Sequence, residues 1–336
     1  MTIEMGLWIV LNKCFLSFSI RTVFMKNKFL PIKRFNALGT QIEAQIVVKD
    51  ENEIKKALDN LSSVEKIYRD KEKILSRFDS ESELSKLNGN LGKFFEVSAD
   101  MVYLARKSLE YYNESGGIFD PRILDALEGI GYDRDFRNVK NRERKNGEIF
   151  SLNGDLKDDL IVVGERMRFE KKMDFAGIAK GYITDEVAKF LRAKGWKNFL
   201  VDSGGDMYAS GINIDGKKWT LDVEGIDEKS LLIRISNQGI ATSGITRRKW
   251  KTGEKRVHHL INPKSPNDFS FDLKTVTAIC ENVEVADFWA KVLFLNGVKN
   301  GLLLAEEKGV EAIFLDYNGN FHITSSARKF YSGETS

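Results

Sequence analysis

"MDFAGIAKGYITDEVAKFL", Met173–Leu191, opens with an aspartate and a run of small residues (Ala176, Gly177, Ala179), reaches Lys180 and Gly181, and continues with the spacing of an amphipathic helix. Small residues let a backbone approach a ligand closely, and a helix N-terminus offers free N–H groups and a partial positive charge. The stretch is not a Walker A loop, because the first glycine and the Lys-Ser/Thr pair are missing. On its own it fits a phosphate site and a helix–strand packing corner equally well.

Its surroundings decide the fold class. "LIVVGERMRFE" before it reads as a hairpin, and "NFLVDSGGDMYASG" after it as a strand broken at Gly204-Gly205. "TQIEAQIVV", "WTLDVEG", "LLIRISNQGIATSG", "TVTAICEN" and "AIFLDYNGNFHIT" also read as strands. Residues 50–75, 99–113 and the stretch "EVADFWAKVLFLNG" have helical spacing, the second ending at Gly116-Gly117 and the third at Gly297. Strands and helices mix without regular βαβ alternation, which predicts an α+β fold. Residues 133–160 read as a charged surface excursion.

The 336 residues suit one large domain or two lobes. With 42% hydrophobic and 30% charged residues and a formal charge of +3, the composition is that of a globular protein without the basic excess of a nucleic-acid binder. Two cysteines, Cys14 and Cys280, make a disulfide framework an unsuitable reading. "GLWIVLNKCFLSFSI" is apolar but interrupted by Lys13, and Met25 offers a more ordinary beginning. Residues 1–24 are therefore set apart, as an extension outside the fold or as a weak membrane or export segment, from a domain spanning 25–336. The reading leans to the cytoplasm, with membrane association or export left open through residues 1–24.

Four further stretches can hold chemistry. Gly204-Gly205, flanked by Asp202 and Asp206, permits close backbone approach or forms a simple strand-end turn. Thr242, Ser243, Gly244, Arg247 and Arg248 suit an anion or an exposed edge. His258 and His259 are neighbours that face opposite sides of a strand, so they cannot easily share a metal. Asp287 and Lys291 are four apart on one helix, an intrahelical ion pair or a carboxylate for a hard cation.

In order along residues 35–325, the blocks "ALGTQIEAQI", "LSRFDSESELSKLN", "GGIFDPRI", "MDFAGIAKGYITDEVAKFL", "LVDSGGDMYASG", "ATSGITRR", "HHLINP" and "TVTAICENVEVADFWAKVLFLNG" resemble those of the ApbE-type flavin transferases. The resemblance implies a mixed sheet-and-helix domain with two lobes around an FAD cleft. It implies transfer of FMN from FAD to a Ser/Thr hydroxyl of an acceptor flavoprotein, membrane-associated and engaged in electron transfer, with release of AMP. FAD pyrophosphatase activity and a non-catalytic FAD-binding protein are the rival readings.

The resemblance also implies roles. Leu38, Phe78, Ile118, Phe119, Asp120, Asp174, Lys180 and Ile261 fall on FAD-contacting positions, and Gly204 and Gly205 match a glycine pair beside the flavin nucleotide. The Gly177 carbonyl and Asp287 match magnesium ligands, so Mg²⁺ is implied beside FAD. Lys180 and His259 are the catalytic candidates, with Lys291 as a third. Three departures stand out. Asn262 replaces an aspartate, the glycine expected after Pro263 is missing, and Lys291 stands where a metal-site threonine is usual. A less common branch with paired histidines and an Ala-Lys in this helix is similar in this respect. A protonated ammonium donates only and cannot ligate Mg²⁺, so Lys291 is expected either to take over part of the metal's electrostatic task or to weaken metal binding.

Overall fold

The structure is a computed structural model and describes residues 20–25, 28–133, 150–223 and 231–335. Most of the charged excursion (134–149) and residues 1–19 lie outside the described residues. The last part of the segment set apart at the N-terminus is a strand, Ile20–Met25, on the edge of the main sheet.

Among the described residues that sheet has nine strands. In spatial order they are Ile20–Met25, Lys28–Ala37, Thr40–Ile46, Phe199–Asp202, Met207–Ser210, Gln238–Gly244, Leu273–Cys280, Glu311–Asp316 and Phe321–Ile323. Every neighbouring pair is antiparallel. The absence of βαβ alternation in the sequence is thus matched by a wholly antiparallel sheet, the α+β arrangement. Side chains alternate across it with the period of two that a strand dictates. Ile240, Ile279 and Ile313 enter one core with Trp219, Leu221 and Ile233 of a smaller three-stranded sheet. Their chain neighbours Ala241, Ala278 and Ala312 enter the larger core beneath the helices.

Seven α-helices are described: α1 (Ile54–Leu75), α2 (Glu83–Asn88), α3 (Ala99–Glu114), α4 (Leu124–Gly129), α5 (Leu156–Asp159), α6 (Ala179–Ala193) and α7 (Val283–Lys308). Polar side chains start several of them. Ser82, Ser98 and Asn282 accept from the backbone N–H three residues on, each cap contributing ~1 kcal/mol. α3 ends where Gly116 and Gly117 take φ of 59° and 82°. Inside α7, Gly297 (φ 71°, ψ −178°) interrupts the helix in a conformation essentially reserved for glycine, after which the helical run resumes.

The packing of α6 on α7 positions the chemistry. A Cβ on Gly181 would lie 2.6 Å from the Cα of Glu284, so only glycine lets the two backbones meet. One turn later the Asp185 carboxylate accepts from the N–H groups of Val283 and Glu284, both at 2.9 Å, and ties down the start of α7. Phe288 on α7 then stacks on Tyr111 of α3 at 4.0 Å and meets Phe119 edge-on.

Candidate active site

A cleft of ≈ 360 Å³ opens among the start of α6, the second turn of α7, the end of the Gln238–Gly244 strand and the loops after α1 and α3. Leu38, Phe78, Ile118, Phe119, Asp120, Asp174, Gly177, Lys180, Gly204, His259, Ile261, Asp287 and Lys291 all line it. Gly205 is not among the lining residues, and its N–H donates to Asp202 at 2.8 Å. Gly204 is at the wall with φ 70°, and a Cβ there would lie 2.1 Å from the Thr40 hydroxyl oxygen. Close backbone approach requires glycine at 204, whereas Gly205 serves the turn. Leu38 sits at a tight hairpin turn with φ 52°, followed by Gly39 at 70°. A leucine rarely adopts that conformation, and the Glu72 carboxylate helps hold it by accepting from the Leu38 N–H at 2.7 Å.

One wall is charged. Lys180 pairs with the buried carboxylate of Asp206, a residue that in the sequence is only a flank of the glycine pair. Burial pushes the Lys180 ammonium down to about 8, against an attraction from Asp287 and with added repulsion from Arg248 and Lys291. α6 begins behind this lysine with no side chain capping its N-terminus, unlike α2, α3 and α7. The adjacent histidines separate as strand geometry demands. His258 is enclosed by Phe269, Phe271 and Phe294, donates from Nε2 to the Ser270 carbonyl at 3.0 Å, and is pushed down to about 4 by burial. His259 faces the cleft, and burial, aided by the Arg248 charge, holds it well below its usual value. Its Nδ1 lies 3.3 Å from the Arg248 carbonyl oxygen, which can only accept. The neutral ring therefore carries its proton on Nδ1 and leaves Nε2 with a free lone pair.

The implied magnesium ligands are held by the departure itself. Lys291 Nζ donates to the Gly177 carbonyl at 2.8 Å and lies 3.6 Å from Asp287 Oδ1. The other carboxylate oxygen, Asp287 Oδ2, is buried without a hydrogen-bond partner. Two oxygens and an unpaired lone pair suit a cation, but the cation already between them is an ammonium. Mg²⁺ requires near-octahedral oxygen ligation, and a unit charge ~4 Å from a divalent ion costs ~8 kcal/mol at an effective dielectric of about 20. Among the described residues no group of three or more His, Cys, Asp or Glu is placed to hold a metal. With Lys291 charged and in place, the donor set does not fit Mg²⁺.

The other wall is aromatic. Arg77, absent from the sequence candidates, packs over both Phe78 (4.3 Å) and Tyr132 (4.5 Å), whose rings are tilted 55° to each other. It donates to the Tyr132 carbonyl at 2.8 Å, and its Nε meets Asp174 at 3.2 Å. Asp174 therefore orients Arg77 while also accepting from the Ala176 N–H at 2.8 Å. Trp250 extends the array beyond Tyr132. Asp120 reaches the cleft, but its carboxylate is engaged by Arg122, which also binds Asp159. Asn262 uses its side-chain oxygen to accept from the Lys264 N–H at 3.0 Å, a turn contact.

The family model described as "ApbE family" matches residues 38–314. An FAD:protein FMN transferase of Haemophilus influenzae is 26% identical over 280 residues, covering 80% of this chain and 81% of the relative. One from Vibrio cholerae is 26% identical over 271 residues, covering 77% and 80%. Among solved structures, the apo form of the Pseudomonas stutzeri flavinyl transferase ApbE superposes with a TM-score of 0.76 at 22% identity, over 92% of this chain and 100% of that one. The match extends over most of the sequence and over the fold that builds the cleft: the chain belongs to the ApbE family.

Proposed function

We infer that this protein is an FAD:protein FMN transferase that moves FMN from FAD to a serine or threonine hydroxyl of an acceptor protein and releases AMP. The observation that carries the reading is the charged wall, where Lys180 and Lys291 face the same cleft as a neutral histidine with a free Nε2. A pyrophosphate resists nucleophiles because its negative charge repels them. Cations fixed beside it remove that obstacle, and fixed positioning supplies much of the remaining rate. The acceptor hydroxyl gives its proton to His259 Nε2 as its oxygen bonds to the FMN-side phosphorus. The P–O bond to the AMP phosphoryl group breaks, and the electron pair leaves with AMP. Lys180, at the uncapped start of α6, takes the charge that builds on the leaving phosphate. FAD also carries flat ring systems, and the Phe78–Arg77–Tyr132 wall supplies a stacking surface for one of them.

The acceptor is read as a flavoprotein of a membrane-associated electron-transfer system, a partner class inferred from the family resemblance alone. Incubation with FAD and a flavin-acceptor domain, followed by a denaturing gel under ultraviolet light, tests the activity. A fluorescent acceptor band supports transfer. Free FMN without the band would mean hydrolysis, and unchanged FAD would mean binding alone.

A further inference from the structure

We propose that the Lys291 ammonium is the resident cation of this active site and replaces a divalent metal in neutralising the FAD pyrophosphate. The proposal rests on the FMN-transfer reading and deepens it.

Two features separate Lys291 from an ordinary surface ion pair. Its hydrogen bond goes to the backbone carbonyl of Gly177, on the loop before α6, rather than only to Asp287 on its own helix. Its side chain is also largely buried, at 17% exposure, beside an Asp287 carboxylate at 6%. An ammonium has three N–H donors. One goes to Gly177 and one points to Asp287, and the third remains for a ligand in the cleft that Lys291 lines. Gly177 has room for this contact because it lacks a Cβ, which would come to 3.0 Å from Lys291 Nζ. The site thus has a carbonyl and a carboxylate around one fixed positive charge, tethered by the α6–α7 contact at Gly181.

The chemical step is unchanged. The acceptor oxygen bonds to the FMN-side phosphorus, the P–O bond to AMP breaks, the hydroxyl proton goes to His259, and the pair leaves with AMP. What changes is the source of charge, a covalently attached ammonium in place of an exchangeable ion. FAD should bind in the absence of any divalent metal, and the cleft should exclude one.

Mn²⁺, which favours the same oxygen ligands as Mg²⁺, is the probe. Its free six-line electron paramagnetic resonance signal is titrated with the wild-type protein, with and without FAD, and FAD affinity is measured separately by flavin fluorescence in EDTA and in Mg²⁺. The expected result is an unattenuated Mn²⁺ signal and equal FAD affinity in the two buffers. Lys291→Thr, which restores a third oxygen beside Gly177 and Asp287, should bind Mn²⁺ at least about tenfold more tightly than the wild type. The proposal is overturned if the wild type takes up Mn²⁺ as tightly as the variant, or if EDTA weakens FAD binding and Mg²⁺ restores it. Should the variant not fold, the wild-type titrations still decide. Bound FAD with Mn²⁺ excluded but no labelled acceptor would support the resident cation while removing the transferase reading, so the two fail separately.

Discussion

The charged and aromatic walls of the cleft are built on different principles. The charged wall hangs on backbone. Gly177 and Lys180 lie at one helix start, Asp287 and Lys291 one turn apart on another, and the helices are pinned by Gly181 and by the two bonds that Asp185 accepts from the start of α7. The aromatic wall hangs on side chains from separate segments: Arg77 lies over the rings of Phe78 and Tyr132, which are tilted 55° to each other, and Phe78 remains 46% exposed. Fixed charges suit a transition state that tolerates little movement, whereas a stacked and partly exposed surface suits recognition of a ring that must enter and leave. Substitutions in the first wall should therefore change turnover, with its lysine charges also contributing to affinity for the phosphates, and those in the second should change affinity alone.

The sharpest test of that division is His259→Ala. It removes the free Nε2 while leaving the Phe78–Tyr132 surface untouched. The rate of acceptor labelling should fall about a thousandfold, with FAD affinity changed little. A parallel loss of FAD binding would show that His259 holds the ligand rather than the proton. Lys180→Met comes next. Losing one preorganised positive group facing a developing phosphate charge should lower kcat by about a hundredfold, and it leaves the Asp206 carboxylate buried without its partner. Initial rates, with circular dichroism to confirm folding, check this, and Lys180→Arg should recover part of the loss.

Legibility in the sequence follows the same division. The charged wall could be read because its members lie in compact blocks: Gly177 to Lys180 within four positions, Asp287 and Lys291 within five. The α+β class was readable because antiparallel strands leave a period of two and no βαβ rhythm. Arg77 was not readable. It sits unremarkably in "LSRFDSE", and the residues that give it a role, Asp174 and Tyr132, reach it only through the fold. The Met173–Leu191 stretch divides its glycines between a cleft wall and a packing corner, which is helix on helix rather than helix on strand. Gly177 faces the cleft and Lys291, while Gly181 is the packing corner. The Lys180–Asp206 pair was hidden because it joins two blocks that looked self-sufficient. A glycine pair in sequence does not say which member reaches a cleft wall: Gly204 lines it, and Gly205 donates to Asp202 in the turn.

The Lys180 ammonium also gives the comparison a pH axis. With its value near 8 in the folded protein, its charge is present below that pH and lost above it. FAD carries negative phosphates, so affinity should fall as pH rises through 8, by up to about tenfold per pH unit while binding must take up a proton. Stability should move the other way. The unfolded chain keeps this proton up to about 10.5, so between pH 8 and 10.5 the native state escapes the cost of burying the charge, and this group's contribution rises with pH. Fluorescence titration of FAD and denaturant midpoints across pH 7 to 10.5 should therefore diverge in the wild type. In Lys180→Arg, whose guanidinium stays charged, the affinity slope should flatten.

The smallest expected effect lies on the aromatic wall. Phe78→Ala removes one stacking face but leaves Arg77 held by Asp174 and the Tyr132 carbonyl. The array should survive with one ring fewer, and FAD affinity should fall about tenfold, within the range for loss of one aromatic stacking partner. Saturating FAD should restore the wild-type labelling rate. Arg77→Leu is the harsher form of the same test, because it leaves the buried Asp174 carboxylate without its cation and frees both rings. If Phe78→Ala lowers the rate at saturating FAD instead, the ring would be positioning the phosphorus for attack, and the division between a wall that binds and a wall that reacts would fail.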